Sequence, residues 1–178
     1  MSESDELLDL VTADNKVVGT VLRKEHHANV EYYNSRGEYW RGVACFLLNS
    51  SGQLWIPRRQ DNLDIAPSGL DFSMAEHVTS GEEHLQGAVR GMAEELTITA
   101  EESELHQVAE FIAFPIGCLM RIYMYRTDKD PTFDRRDYQS GQWLYPHEVS
   151  AMLDKPTEIK KYGLQKGVAA IEELIQSH

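Results

Sequence analysis

The chain has 178 residues, of which 42% are hydrophobic and 26% charged, and a formal net charge of -12. That length suits one domain with a substantial core, and these proportions are those of folded soluble proteins rather than of disordered chains. The negative charge excludes a general binder of nucleic acid or anionic membrane, since such proteins present a basic surface. A small anion needs only a local basic cluster or a metal ion. No stretch approaches the ~18 consecutive apolar residues of a membrane span, and the acidic start MSESDELLDL lacks the basic head of a secretion signal. Cys45 and Cys118 sit in apolar runs without metal-ligand spacing and read as buried free thiols of a reducing compartment. A cytoplasmic protein is expected, with neither a nucleic-acid polymer nor a membrane among its partners.

In chain order, LLDLVTADNKVVGTVLR reads as a β-hairpin turned at Asp14 and Asn15. Residues 24–41 are polar and aromatic without a clean period, which predicts a loop or a short irregular helix. GVACFLLNSSGQLWIPRR predicts two strands joined by a turn at residues 49–52, the first a continuous apolar run suited to a central strand. DNLDIAPSGLDFSM is a loop leading into a short strand. After the glutamate-rich stretch discussed below, VAEFIAFPIGCLMRIYMYRT gives two more strands with a break near Pro115 and Gly117. A polar loop, a short strand at QWLY, a helix at PHEVSAMLD with proline in its first turn, and an amphipathic helix at GVAAIEELIQ complete the chain. Strands and helices mix without strict alternation, so an α/β or α+β domain with a mixed sheet is expected.

The chemistry concentrates in EHVTSGEEHLQGAVRGMAEELTI, residues 76–98. Ser80 followed by Glu83 is a capping-box signal that places a helix start at about Gly81 and makes EHVTS a loop. At 100° per residue, Leu85, Val89, Met92 and Leu96 form one apolar stripe, while Glu94, Gly91 and Glu95 lie about 180° to 280° away. Residues 91, 94 and 95 have the spacing that lets side chains converge. Adjacent glutamates ordinarily repel in solvent, but a divalent cation reverses that sign, because Mg²⁺ takes one or two carboxylates together with substrate phosphate oxygens. Both Gly87 and Gly91 cost such a helix ~1 kcal/mol relative to alanine.

This stretch resembles the signature of the Nudix (MutT-type) hydrolases: Gly, five residues, Glu, seven residues, then Arg-Glu-U-x-Glu-Glu-x-Gly-U, with U a bulky aliphatic residue. Glu82, Arg90, Met92, Glu94, Glu95 and Ile98 match it, whereas Glu76 stands for the first glycine, Gly91 for the glutamate after the arginine, and Thr97 for the late glycine. NSSGQLWIPRR and SGQWLYPHEV look like the strands that flank the signature, and the N-terminal segment is most similar to the isopentenyl-diphosphate isomerase branch. The resemblance implies one Nudix domain over residues 1–178, an α/β/α sandwich with a central mixed β-sheet. It implies a Mg²⁺- or Mn²⁺-dependent hydrolase of a diphosphate linked to an organic group, nucleoside di- and triphosphates included.

By position, Glu94 and Glu95 are the expected metal ligands, and Glu82 and Arg90 the ion pair that orients them. Gly91 removes a carboxylate that many members use, which predicts weaker metal binding. Glu76 and His77 are the nearby substitutes, with Glu76 the third expected ligand. Of Arg58 and Arg59, the natural diphosphate clamps, alternation along a strand points one to substrate. Trp40 and Tyr33 are residues that stack on a ring or simply pack. Two other readings compete: a Nudix-fold protein that binds a nucleotide or partner without turnover, favoured by Gly91, Glu76 and Thr97, and an isopentenyl-diphosphate isomerase, suggested by His27 and His77. Ala75 stands where the isomerase's cysteine aligns, which argues against the latter. Length and charge leave a homodimer open beside a monomer.

Overall fold

In the computed structural model, which describes residues 5–177, β1 (Leu7–Val11) and β2 (Val17–Leu22) form the expected antiparallel hairpin. The first four residues of the acidic start lie outside the described residues. Residues 24–41 take the helical form of the two expected, as the short helices α1 (Arg23–Ala28) and α2 (Val30–Ser35), and end in the first residues of strand β3 (Tyr39–Leu48). Helices this short are unstable alone in water. These two are held by burying His26 and Tyr33, whose rings stack 4.9 Å apart.

The continuous apolar run of β3 is buried along its whole length, as a central strand requires. One edge pairs in parallel with β7 (Cys118–Arg126). The other edge is shared in turn by β1 at Tyr39 and Trp40, by β5 (Met74–His77) at residues 42–45, and by β4 (Leu54–Arg59) at Leu48. Beyond that single register point β4 leaves to pair antiparallel with β8 (Tyr138–Leu144), while β6 (His106–Ala113) pairs with β7. The eight strands form one mixed sheet.

Successive residues of β3 serve opposite faces. Val43, Cys45 and Leu47 pack with Met74 of β5 and with Ala88, Met92 and Leu96 of α3 (His84–Leu96). Ala44, Phe46 and Leu48 pack with Val149 and Leu153 of α4 (Pro146–Leu153) and Val168 and Ile171 of α5 (Leu164–Gln176). Helices therefore cover both faces of the sheet, an α/β/α sandwich. Each such side chain contributes about 1.5–3 kcal/mol on burial.

Helix α3 begins three residues later than the sequence implies. Ser80 does not cap it: its hydroxyl donates to Asp9 Oδ1 at 2.6 Å, and the capping box is formed by Glu83 and Gln86. Asp9 also accepts from Arg41 Nη2 at 2.5 Å and from the Gly81 amide at 3.1 Å, which ties the loop before α3 to β1 and β3. Glu76 and His77, expected in that loop, belong to β5.

The buried stripe of α3 is also rotated from the expected one. His84, Gly87, Ala88, Gly91, Met92 and Leu96 are buried, whereas Leu85 and Val89 are only half-buried. Gly91 explains the rotation. A Cβ there would stand 2.6 Å from Met74 Sδ and 3.2 Å from Glu76 Cβ, so the helix backbone approaches β5 more closely than a side chain permits. At Gly87 a Cβ would meet Val78 Cγ2 at 3.2 Å and Glu82 Oε2 at 3.4 Å, so this glycine makes room for the loop.

Thr97 ends α3 in the left-handed region, at φ 56° and ψ 31°, with its amide and that of Ile98 both donating to the Met92 carbonyl. A β-branched residue is strained there. Two opposite stability effects are expected in thermal unfolding. Thr97→Gly should stabilise by up to about 1 kcal/mol, raising Tm by roughly 2–4 °C. Gly91→Ala should lower Tm despite its better helix propensity, because overpacking costs about 1–3 kcal/mol against ~1 kcal/mol gained.

Candidate functional site

A cleft of about 1130 Å³ opens between helix α3, strand β5 and the ends of β4 and β8. Arg90 organises its acidic wall. Its Nε donates to Glu82 Oε1 at 3.1 Å and its Nη2 to Glu82 Oε2 at 3.0 Å, while Nη1 reaches Glu94 Oε2 at 3.1 Å and Glu76 Oε2 at 3.4 Å. Nη2 also donates to the His77 carbonyl at 2.7 Å, which fixes the guanidinium to β5. Thr79 completes the shell of Glu82 through its amide and hydroxyl. Burial pushes the Glu82 carboxyl up, but Arg90 and Thr79 outweigh it and hold the group below its usual range.

The three expected metal ligands do not stand alike. Glu94 lies on the rim, with 58% of its side chain exposed, and leans on Arg90. Glu95, half-buried one turn beyond Gly91, accepts from the Tyr138 hydroxyl at 3.0 Å. Burial, reinforced by the charges of Glu76 and Asp71, pushes its carboxyl up to about 8. Glu76 is half-buried and accepts from the His77 amide at 2.9 Å. Burial pushes its carboxyl up as well, but His77 and Arg90 more than offset this and keep it below the ordinary value.

The expected convergence of residues 91, 94 and 95 therefore does not occur. Gly91 faces β5, and Glu76 and Glu95 both line the cleft. Among the described residues, no three acidic or histidine side chains are gathered closely enough to hold an ion by themselves. The donor chemistry nonetheless fits a divalent cation shared with substrate. Glu76 and Glu95 are hard oxygen donors, a cation between them would take the place of the proton that Glu95 otherwise holds at neutral pH, and Mg²⁺ commonly takes its remaining ligands from water and phosphate.

Arg58 and Arg59 separate as strand alternation requires. Arg58 does not line the cleft and donates instead to Glu158 Oε1 at 2.8 Å and to the Ser68 carbonyl at 2.6 Å. Arg59 lines the cleft, with Nη1 on Asp71 Oδ2 at 2.7 Å and Nε on the Ile65 carbonyl at 2.8 Å. Sequence reasoning missed Asp71, Tyr138 and Lys161, which meet here from three separate segments. Nothing local in LDF, DYQ or IKKY marks them.

His27, Trp40 and His77 also line the cleft. Trp40 stacks on His77 at 4.4 Å and its indole N–H donates to the Ile116 carbonyl at 3.0 Å, so it acts as a packing residue. Tyr33 stacks on His26 instead, beneath α1. Burial lowers both cleft imidazoles, His77 to about 4, which leaves them neutral at pH 7. Cys45 and Cys118 are fully buried, and burial drives both thiols up.

The Nudix domain model matches residues 38–165. A Nudix hydrolase of Deinococcus radiodurans is 36% identical over 152 residues, which is 84% of this chain and 85% of that protein. A crystal structure from the same organism superposes with a TM-score of 0.74 at 34% identity, covering 92% of this chain and 98% of the other. A MutT protein of Methanosarcina mazei shares the fold at a TM-score of 0.59 and 16% identity, over 78% of this chain and 96% of that one. Joined to a glutamate-rich helix whose arginine binds the loop before it, these likenesses show that the chain is a member of the Nudix hydrolase family.

Proposed function

We propose that the protein is a divalent-metal-dependent hydrolase of a diphosphate linked to an organic group, with nucleoside di- and triphosphates in its range. The observation that carries this reading is a reciprocal exchange. The family pattern has glycine at position 76 and glutamate at 91, whereas this chain has Glu76 and Gly91, and a Cβ on residue 91 would stand 3.2 Å from that of Glu76. The carboxylate has moved from the helix to the facing strand, across the same gap. Gly91 is thus a site where the acid has changed sides, rather than one where it is lost.

Glu76 and Glu95 would hold Mg²⁺ or Mn²⁺ from opposite sides of that gap, with Glu94 at the rim. The ion supplies neutralisation of the diphosphate and a more acidic water. Arg90, held by Glu82, fixes where Glu76 and Glu94 point, which is the usual work of groups behind a metal site. Arg59 contacts a phosphate oxygen. In the hydrolysis the water oxygen bonds to phosphorus, the bridging P–O bond breaks, the leaving phosphate keeps that electron pair, and a proton from the water passes to a cleft carboxylate. Ala75 in the cleft wall and two buried cysteines argue for hydrolysis over an isomerase's cysteine chemistry.

A second reading, a binding protein without turnover, is favoured by one observation: Glu94 is exposed and occupied by Arg90. A phosphate-release screen decides between them, covering nucleoside di- and triphosphates, sugar nucleotides and prenyl diphosphates with Mg²⁺ and Mn²⁺. Turnover of at least one class is expected, and Glu76→Gln and Glu95→Gln should each lower kcat/KM by about 100-fold or more. Folded protein that is silent throughout contradicts the hydrolase assignment, and a Glu76→Gln variant as active as wild type contradicts the role given to Glu76.

A further inference from the structure

We infer that Arg59 and Lys161, both seated on the buried carboxylate of Asp71, form a two-cation phosphate subsite in the cleft. The inference rests on the diphosphate reading above and adds residues to it. Asp71 is fully buried. Its Oδ1 accepts from the Phe72 amide at 2.8 Å, and its Oδ2 accepts from Arg59 Nη1 at 2.7 Å and Lys161 Nζ at 3.4 Å. Two cations thus share one carboxylate oxygen, one more than Asp71 neutralises, and Glu95, whose carboxyl Lys161 draws down against burial, stays raised to about 8 and largely uncharged at neutral pH.

One cation is enough to neutralise Asp71, and Arg59 already does so at the shorter distance. Lys161 is therefore the surplus charge, with 24% of its side chain exposed and its residue lining the same cleft as Glu95. Donor counting agrees. A guanidinium has five N–H groups and an ammonium three. Arg59 uses Nε on Ile65 and Nη1 on Asp71, and Lys161 uses one donor on Asp71, so both keep N–H groups for a ligand. Like charges crowded around one oxygen repel, and a dianionic phosphoryl group relieves that repulsion with a fork from Arg59 and a point charge from Lys161.

The backbone sets Lys161 in place. Its amide donates to the Leu70 carbonyl at 2.9 Å, the Leu70 amide donates to the Ile159 carbonyl at 2.8 Å, and Leu70 bridges Arg58 on its other side. A Cβ on Gly69 would stand 2.8 Å from the Ile159 carbonyl oxygen, so the two segments run in close contact. The segment before α5 is held beside β4, and its lysine is delivered to the arginine of that strand.

The test is calorimetric titration of methylenediphosphonate, a diphosphate with no hydrolysable bridge, at saturating Mg²⁺. Wild type should bind, and K161Q should bind about tenfold or more weakly, as expected for a lost charged hydrogen bond. R59Q should weaken binding similarly, while K161R should recover most of the affinity because the charge is kept. Unfolding curves matched to wild type establish that K161Q is folded. Affinity unchanged in both K161Q and R59Q overturns the subsite while leaving the hydrolase reading intact. A wild type that does not bind the diphosphonate also overturns the subsite, while the hydrolase reading stands or falls by the phosphate-release screen.

Discussion

The site depends on the approach of α3 to β5 at a residue with no side chain. Because Gly91 places hydrogen where other residues place carbon, the helix backbone closes on Met74 and Glu76. That closeness fixes which face of α3 is buried, brings Glu95 into the cleft beside Tyr138, and sets Glu76 across from it. Arg90 then spans helix, loop and strand in one guanidinium, binding Glu82, Glu94, Glu76 and the His77 carbonyl. A helix held a side chain's width further out would leave these carboxylates unconnected.

The electrostatics follow from crowding. The protein carries a net charge of -12, yet the cleft alternates carboxylates with Arg90, Arg59 and Lys161 instead of presenting one sign. Glu82 and Glu76 are held ionised by hydrogen bonds and a cation, whereas burial and neighbouring carboxylates push Glu95 up to about 8. A half-buried carboxyl beside other carboxylates favours its protonated form, and sites commonly carry groups shifted in this way.

Much of the fold is legible in the sequence because local patterns carry it: the Asp14–Asn15 turn, the unbroken apolar run of β3, and Pro146 at the start of α4. The pairing of Arg90 with Glu82 is legible as a motif for the same reason. What is not legible depends on partners far along the chain. Ser80 looks like a helix cap but its hydroxyl goes to Asp9, and the short helices α1 and α2 are held by burying His26 and Tyr33. A helical wheel puts Gly91 with the exposed carboxylates, whereas β5 draws it inward. Lys161 and Asp71 are brought together across 90 residues, with no spacing to announce them.

The central claim is that Glu76 and Gly91 are one exchange rather than two losses. The most direct measurement is a double-mutant cycle on metal-dependent turnover, comparing Glu76→Gly, Gly91→Glu and the two combined. If the carboxylate has changed sides, the double variant returns it to the helix and is more active than the product of the single effects by about tenfold or more. Single effects that simply multiply would show that the two positions act independently, and would contradict the account.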